Sequence, residues 1–244
     1  MTRLARAELL KLVTTRLLLW NGLLLLALEV LVITLNITQD STLALASPSR
    51  QREIASIAAV SALVSLILGI VSSAGEYGHG TIAHTLLVAP VRPRVAAAKL
   101  TASALAGAAL ALAAGAFAWG YAALLLSARS VPVHLGSGET LRVLPATVLA
   151  AAITGAIGVG FGLLVRRQTG AIVIAFVWLL VVEPLLALAG IQEYAPGHTI
   201  ASVVEAGTQS ADLLGFGAGL LLALGYAAAF AVAGAVALAR TDVS

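Results

Sequence analysis

The chain has 244 residues, 60% of them hydrophobic and 10% charged, with a formal net charge of +3. A soluble domain carries about 25% charged residues, and a chain this poor in charge cannot cover its surface with polar groups, so its Leu, Ala and Val excess must face lipid. The absence of cysteine excludes disulfides, thiolate metal sites and cysteine nucleophiles. The 14 cations stand at the ends of apolar runs rather than on one face, which argues against a nucleic-acid partner.

The first sixteen residues, which include TRLARAELLKLVTTR, read as an interfacial amphipathic helix over 1–16. Ala5, Leu9, Leu12 and Val13 share a face at 3.6-residue spacing, while Arg3, Arg6, Glu8 and Lys11 reach water or lipid phosphates. Such a segment either anchors the chain by charge or steers the first span. Six apolar stretches then follow, near 17–36, 54–74, 97–127, 145–165, 170–190 and 213–238. A helix needs roughly 20 apolar residues to cross the hydrocarbon core, and none of these runs alternates as a barrel strand would. The third is longer than one crossing needs and should tilt or protrude. Residues 1–46 also have the outline of a signal peptide, with Ala44-Leu45-Ala46 as a cleavage site. Its apolar run is too long for that, however, against the usual 7–15 or so residues, and a true first span is expected.

Basic residues orient the chain. With the N-terminus inside, Arg3, Arg6, Lys11, Arg16, Arg92, Arg94, Lys99, Arg166, Arg167 and Arg240 are cytoplasmic, and Arg50, Arg52, Arg129 and Arg142 are outside. The expected fold is therefore an all-α integral membrane protein, one permease-like domain over 1–244, with six transmembrane helices and both termini cytoplasmic. The Arg-over-Lys skew and the abundance of Ala point to a high-GC bacterium, and so to its cell (inner) membrane.

Between spans two and three lies EYGHGTIAHTLLVAPVRPRVAAAK. Gly78 and Gly80 allow a sharp turn, Thr81 is placed to cap a short helix from Ile82 to Val88, and Pro90 and Pro93 end it. Ile82, Leu86 and Leu87 face membrane or protein, His79 and His84 lie nearer water, and Arg92, Arg94 and Lys99 meet anionic headgroups. His79 and His84 are five apart, which is not the spacing of a helical zinc pair, and no metal site is expected. The chain's two lysines, Lys11 and Lys99, follow Leu10 and Ala98 rather than glycine, so neither belongs to a phosphate-binding loop. No ATPase is encoded here.

Within the spans, Gly158-x-x-x-Gly162 and Gly215-x-x-x-Gly219 form small-residue grooves for close helix packing, inside one chain or at a dimer seam, with Ala111-x-x-x-Gly115 a weaker version. Glu29 and Glu183 fall in the outer halves of spans one and five. Each must face protein or water, or carry a proton. They line a translocation route, fix an outer gate, or make structural contacts, for instance to Arg129 or Arg142. Pro184 should kink span five. The last outer segment, 191–212, is broken at Pro196-Gly197.

The pattern Glu-Tyr-x-x-Gly-Thr, an apolar helix, then Pro-x-x-Arg and Lys before a span resembles the permeases of the type-2 ABC transporter family. The resemblance extends to the whole layout of interfacial helix, six spans and both ends inside. It implies that 76–95 is a coupling segment, with Glu76, Tyr77, Gly80, Thr81, Ile82, His84, Leu86 and Leu87 facing a separately encoded ATP-binding subunit, present in two copies. Glu76 would be held by Arg92 or Arg94. It implies too that 191–212 re-enters the membrane and that a second permease chain, identical or a sibling, completes the substrate path. ATP and Mg would be bound by the partner, with no cofactor and no catalysis in this chain. The competing readings are a proton-coupled secondary transporter using Glu29 and Glu183, an intramembrane enzyme, for which no dyad or metal motif is present, and a non-transporting membrane scaffold.

Overall fold

The computed structural model of the chain describes residues 2–205 and 213–240, and every regular element among them is helical. α1 (Thr2–Thr14) is followed at Arg16, whose φ is 57°, by α2 (Leu17–Gln39), the first span. α3 (Thr42–Leu45) and α4 (Pro48–Ser56) lead through a 3-10 turn into α5 (Val60–Gly78), completing the second span. α6 (Thr81–Val88) precedes the long third span, α7 (Arg92–Ala128). α8 (Gly138–Leu141) and α9 (Val143–Val165), the fourth span, come next. α10 (Gln168–Val177) and α11 (Glu183–Leu188) make the fifth span, and α12 (Pro196–Val204) precedes the sixth, α13 (Phe216–Ala239). Six helices among the described residues are long and apolar enough to cross a membrane, at nearly the positions expected from sequence. The chain is a multi-pass membrane protein. Of the expected segment 191–212, residues 206–212 lie outside the described residues.

α9 is the hub, packing on α5, α7 and α13. Its apolar stretch is 61% buried, against 11% for those of the fifth and sixth spans, which are peripheral. Lipid tails are as apolar as leucine, so spans gain little from burying large side chains against each other and must approach closely to gain dispersion energy. That is what α9 does. A methyl group on Gly158 would fall on the Leu66 carbonyl of α5, and one on Gly160 would fall on the Phe230 carbonyl of α13. Gly162 lies against Ile70 and Ser73 of α5, so the Gly158/Gly162 groove is filled from within the chain. The Gly215/Gly219 pair behaves differently. Gly219 lies against Thr199 and Ser202 of α12, whereas Gly215 caps the start of α13 and a methyl group on it would meet nothing within 4 Å. It does not form half of a helix-packing groove, because the helix begins only after it.

In the fifth span, Trp178–Val182 winds as a π-helix immediately before Glu183 and Pro184. The expected effect of Pro184 is thus a widened turn, which accommodates the missing N–H and the ring without breaking the span. At the end of the bundle farther from α1, fully buried Gln51 donates to the carbonyls of Leu45 (2.8 Å) and Pro132 (2.7 Å) and accepts from the His134 N–H (2.6 Å). One side chain thereby ties together the connections on either side of α4 and α7.

Gly158→Val should cost stability at the upper end of the overpacking range, about 3 kcal/mol, read as a lowered melting temperature in detergent. Gly225→Ala, where a methyl group meets nothing within 4 Å, should cause no loss and gain up to about 1 kcal/mol from helix propensity.

Candidate functional site

The segment singled out by the sequence folds into a short helix held by charge. α5 ends at Gly78, and Gly80, at φ +68°, turns the chain into α6. Only Gly80 uses a left-handed conformation; Gly78 is the last helical residue of α5. Thr81 is not the cap that was expected. It is the first residue of α6, its hydroxyl points back to the Glu76 carbonyl at 3.5 Å, and the cap position is Gly80.

Four charged groups from three helices meet beneath this turn. Lys99 of α7, its side chain 1% exposed, donates to Glu8 Oε2 at 2.8 Å and is paired with Glu76 Oε1 at 2.7 Å. Lys11 of α1 donates to Glu8 Oε1 at 2.8 Å, to Glu76 Oε1 at 3.0 Å and to the Thr85 hydroxyl of α6 at 3.2 Å. All three ammonium hydrogens of Lys11 are used. Two acids and two bases cancel, so the joint is neutral, and it binds α1, α5, α6 and α7 at one point.

This arrangement corrects several expectations. Glu76 is held by Lys11 and Lys99, not by Arg92 or Arg94. Lys99 is buried in the protein rather than set among headgroups. Arg92 donates to the Ala239 carbonyl and Arg166 to the Ala237 carbonyl, both at the C-terminal end of α13, where a cation satisfies open carbonyls and the negative end of the helix dipole. Arg94 alone of the three expected headgroup cations is exposed. The buried stripe of α1 runs through Glu8 and Leu12, with Leu9 packed beside them and Val13 60% exposed, because α1 packs along α7. Sequence reading missed Glu8 as a site residue. Its available signal was its position one turn before Leu12, on the same helix face.

Electrostatics follow from the geometry. Burial pushes the Glu8 carboxyl up, but Lys99 and Lys11 outweigh that and hold it below the ordinary glutamate range. For Lys11, burial pushes down, while Glu8 and Glu76 together leave it above the ordinary lysine value. Around the joint, the Arg166 guanidinium lies 5.7 Å from the centre of the Tyr77 ring, joining the ends of α9 and α5. His79 Nδ1 is 2.7 Å from the Gly75 carbonyl, and His84 is exposed. Ile82 and Leu86 are buried against Val95, Val159, Leu163 and Leu238. Leu87 and Val88 are 79% and 86% exposed, next to each other on the free side of α6.

Of the two intramembrane acids, Glu183 is saturated with donors. Its Oε1 accepts from Trp178 Nε1 (3.0 Å) and from the Gly197 N–H (2.7 Å), and His198 Nδ1 lies 3.3 Å from Oε2. Gly197 and His198 open α12, so Glu183 caps the N-terminus of that helix, where its dipole favours negative charge. The Tyr226 hydroxyl donates to the Tyr194 carbonyl at 2.7 Å, which places the start of the 191–204 segment against α13 ten residues into the span. Glu29 is 0% exposed and neither of its oxygens has a protein partner. Neither acid meets Arg129, which donates instead to the carbonyls of Ile37, Thr38 and Asp40 at the end of α2. Beside these elements, an apolar cavity of about 410 Å³ lies between α5, α9, the fifth span and α13, lined in part by Phe161, Trp178, Tyr226 and Phe230.

Neither a protein-family model nor a curated protein matches the chain.

Lys99→Met, which leaves two largely buried carboxylates to share the single ammonium of Lys11, should destabilise by about 3–5 kcal/mol. Adding Glu8→Gln should recover part of that loss, because the uncompensated charge is removed; a double-mutant cycle on melting temperature reads the difference. The joint also has a signed pH dependence. Its Glu8 contribution is present above the ordinary carboxylate range and is lost as pH falls through the depressed value of Glu8. Its Lys11 contribution is present below the ordinary lysine value and is lost as pH rises through the raised value of Lys11. Between those limits, the stability difference between wild type and a Glu8→Gln, Lys11→Met variant should be flat with pH.

Proposed function

We propose that the chain is the transmembrane permease subunit of an ATP-driven exporter of the type-2 ABC kind, with both termini and α6 on the cytoplasmic side of a bacterial cell membrane. In this reading α6 is the coupling helix, a separately encoded ATP-binding subunit docks on its free side, and ATP and Mg belong to that subunit. A second permease chain faces this one. ATP-driven closure of two such ATPase subunits pushes α6, and the joint passes the push to α1, α5 and α7 together.

The observation that carries the reading is the joint itself beside an exposed apolar pair. A loop with no mechanical role has no need of a four-charge joint at its root, tying three helices together and reaching the eight-residue helix through Lys11 and Thr85. Leu87 and Val88 then project from a helix that cannot yield independently, which suits a surface that receives force. The aromatic-lined apolar cavity favours a lipid-like or amphipathic cargo. The reading in which protons drive transport through both Glu29 and Glu183 is weakened on one side, since Glu183 is occupied as a helix cap.

Leu87→Glu with Val88→Glu alters only exposed side chains and should leave melting temperature within about 0.5 kcal/mol equivalent of wild type. It should also abolish co-purification of a P-loop ATPase from the native host and the transport that depends on it. A well-folded wild-type chain that brings down no such ATPase, even after crosslinking, would refute the reading.

A further inference from the structure

Glu29 stands apart from every other described acid whose contacts are given above. Its side chain is fully enclosed, and no protein group among the described residues hydrogen-bonds to either carboxyl oxygen. Three hydroxyls share this condition: Ser61 and Ser65 of α5 and Thr147 of α9 are each 0% exposed, and none has a hydrogen-bond partner in the protein.

Packing puts these groups at one level of the bundle. One turn before Glu29, Leu25 packs with Val64 of α5 and Ala114 of α7. One turn after it, Ile33 belongs to the cluster that contains Ala58 of α5 and Ala118 and Ala122 of α7. Glu29 therefore lies at the level of α5 midway between Val64 and Ala58, which is the position of Ser61, and of α7 between Ala114 and Ala118. A methyl group on Gly115 would meet both Leu144 and Ala58, and one on Gly107 would meet both the Ala151 carbonyl and Ser65. Thr147 lies midway between Leu144 and Ala151, so it shares the level of Ser61, with Ser65 one turn away. Between them α7 contributes Ala111, fully buried and with no polar atom in its side chain.

An ionised carboxylate cannot stay in such a place without positive charge beside it. None of the described residues supplies that charge. α2 itself carries no other charged residue. On α5 and α7, the elements packed against Glu29, the titratable groups lie toward the ends. Glu76, Tyr77 and Lys99 are at the joint, and Arg92 and Arg94 are at the start of α7. Arg129 follows α7, and Arg50, Arg52 and Glu53 lie on α4. Tyr121 is the remaining one, and its hydroxyl is engaged with Thr34 at 2.8 Å. Trp119, whose indole N–H is also buried without a partner, is neutral. The positive charge must come from solution.

We propose that Glu29, with the hydroxyls of Ser61, Ser65 and Thr147, forms an intramembrane site for a small cation from solution, a proton or an alkali ion, held by oxygen alone. A carboxylate and several hydroxyls from three helices are a hard-oxygen donor set. Binding there joins α2, α5 and α9, so occupancy stabilises that packing by mass action. The site stands independently of the ATPase partner. It gives Glu29 a role that Glu183, already saturated, does not share.

The test is the melting temperature of the purified full chain in detergent, wild type against Glu29→Gln, in two series. One varies pH from mildly acidic to mildly alkaline in sodium-free choline buffer. The other adds sodium at fixed alkaline pH and constant ionic strength. The histidines and the joint titrate equally in both proteins, so the difference between them isolates Glu29. A difference that changes with pH and is indifferent to sodium identifies the proton. A saturable sodium-dependent difference identifies the alkali ion. A difference that stays constant through both series overturns the proposal. Should Glu29→Gln not fold, Ser61→Ala with Thr147→Val decides the matter with the acid intact. Loss of those oxygens should shift the half-saturating cation concentration about tenfold, and superimposable curves overturn the site.

Discussion

Because a lipid solvent offers spans little reward for burying large side chains against one another, the bundle depends on how closely backbones can approach along α9. Gly155, Gly158, Gly160 and Gly162 let α5, α7 and α13 come within reach of backbone atoms on that helix. The neighbours reciprocate: a methyl group on Gly69 of α5 would fall on the Gly155 carbonyl, and one on Gly234 of α13 would meet Gly160. With α5, α7 and α9 set so near, the groups they enclose have little room to rearrange. Ser61, Ser65 and Thr147 end up sealed inside through the same tight packing that holds the bundle together.

Charge is handled in two opposite ways within this frame. At the α1 end, two lysines and two glutamates neutralise each other, with Lys99 almost wholly removed from water. Desolvating such a group is costly, and the attraction offsets that cost only when every hydrogen finds an acceptor. Lys99 is set against one carboxylate oxygen of each glutamate, and the part-exposed Lys11 shares the same two acids and the Thr85 hydroxyl. Elsewhere Glu183 is satisfied by donors of an indole and a helix start. Glu29 alone among these acids receives neither a base nor a donor from the described residues, which is why the two intramembrane acids, alike in their positions along the spans, must be assigned different roles.

The spans were legible in the sequence because length and hydropathy are local properties, and the observed helices differ from the expected ones mainly at their ends. The turn into α6 was legible for the same reason, through Gly80 and Pro90. Long-range pairing was not. Lys99 carries the appearance of a charge flanking a span, and nothing local reveals that its partner Glu8 lies 91 residues away. The face of α1 was misjudged because hydrophobic periodicity assumes an apolar neighbour, whereas α7 presents a lysine to it. Small-residue spacing identified the groove at Gly158 and Gly162 but not its occupant, and at Gly215 the spacing misled because the helix had not yet begun. Glu29 and Glu183 looked equivalent from their positions along the spans. What separates them is the neighbouring helix, a tertiary fact.

The distribution of packing also bears on how force could travel. α6 is fastened to the joint by the Lys11–Thr85 contact and to the bundle by buried Ile82 and Leu86, and the joint ties α1, α5 and α7 to one another, so a displacement of α6 bears on these helices together. α9 follows, because its glycines leave no slack against α5. The fifth and sixth spans are buried along only 11% of their apolar stretches, and an apolar cavity separates part of them from α5 and α9. The sixth span is nevertheless held by close backbone contact between Gly160 and Gly234 and by Arg92 and Arg166 at its end, whereas the fifth span makes no such close contact and is tied to the α12 segment through Glu183. Relative movement is therefore cheapest along the cavity, between the fifth span and a rigid unit of α1, α2, α5, α7, α9 and α13. The Glu29 layer lies inside the rigid unit, away from that seam, so a cation bound there would set the packing of the unit itself rather than travel along the seam.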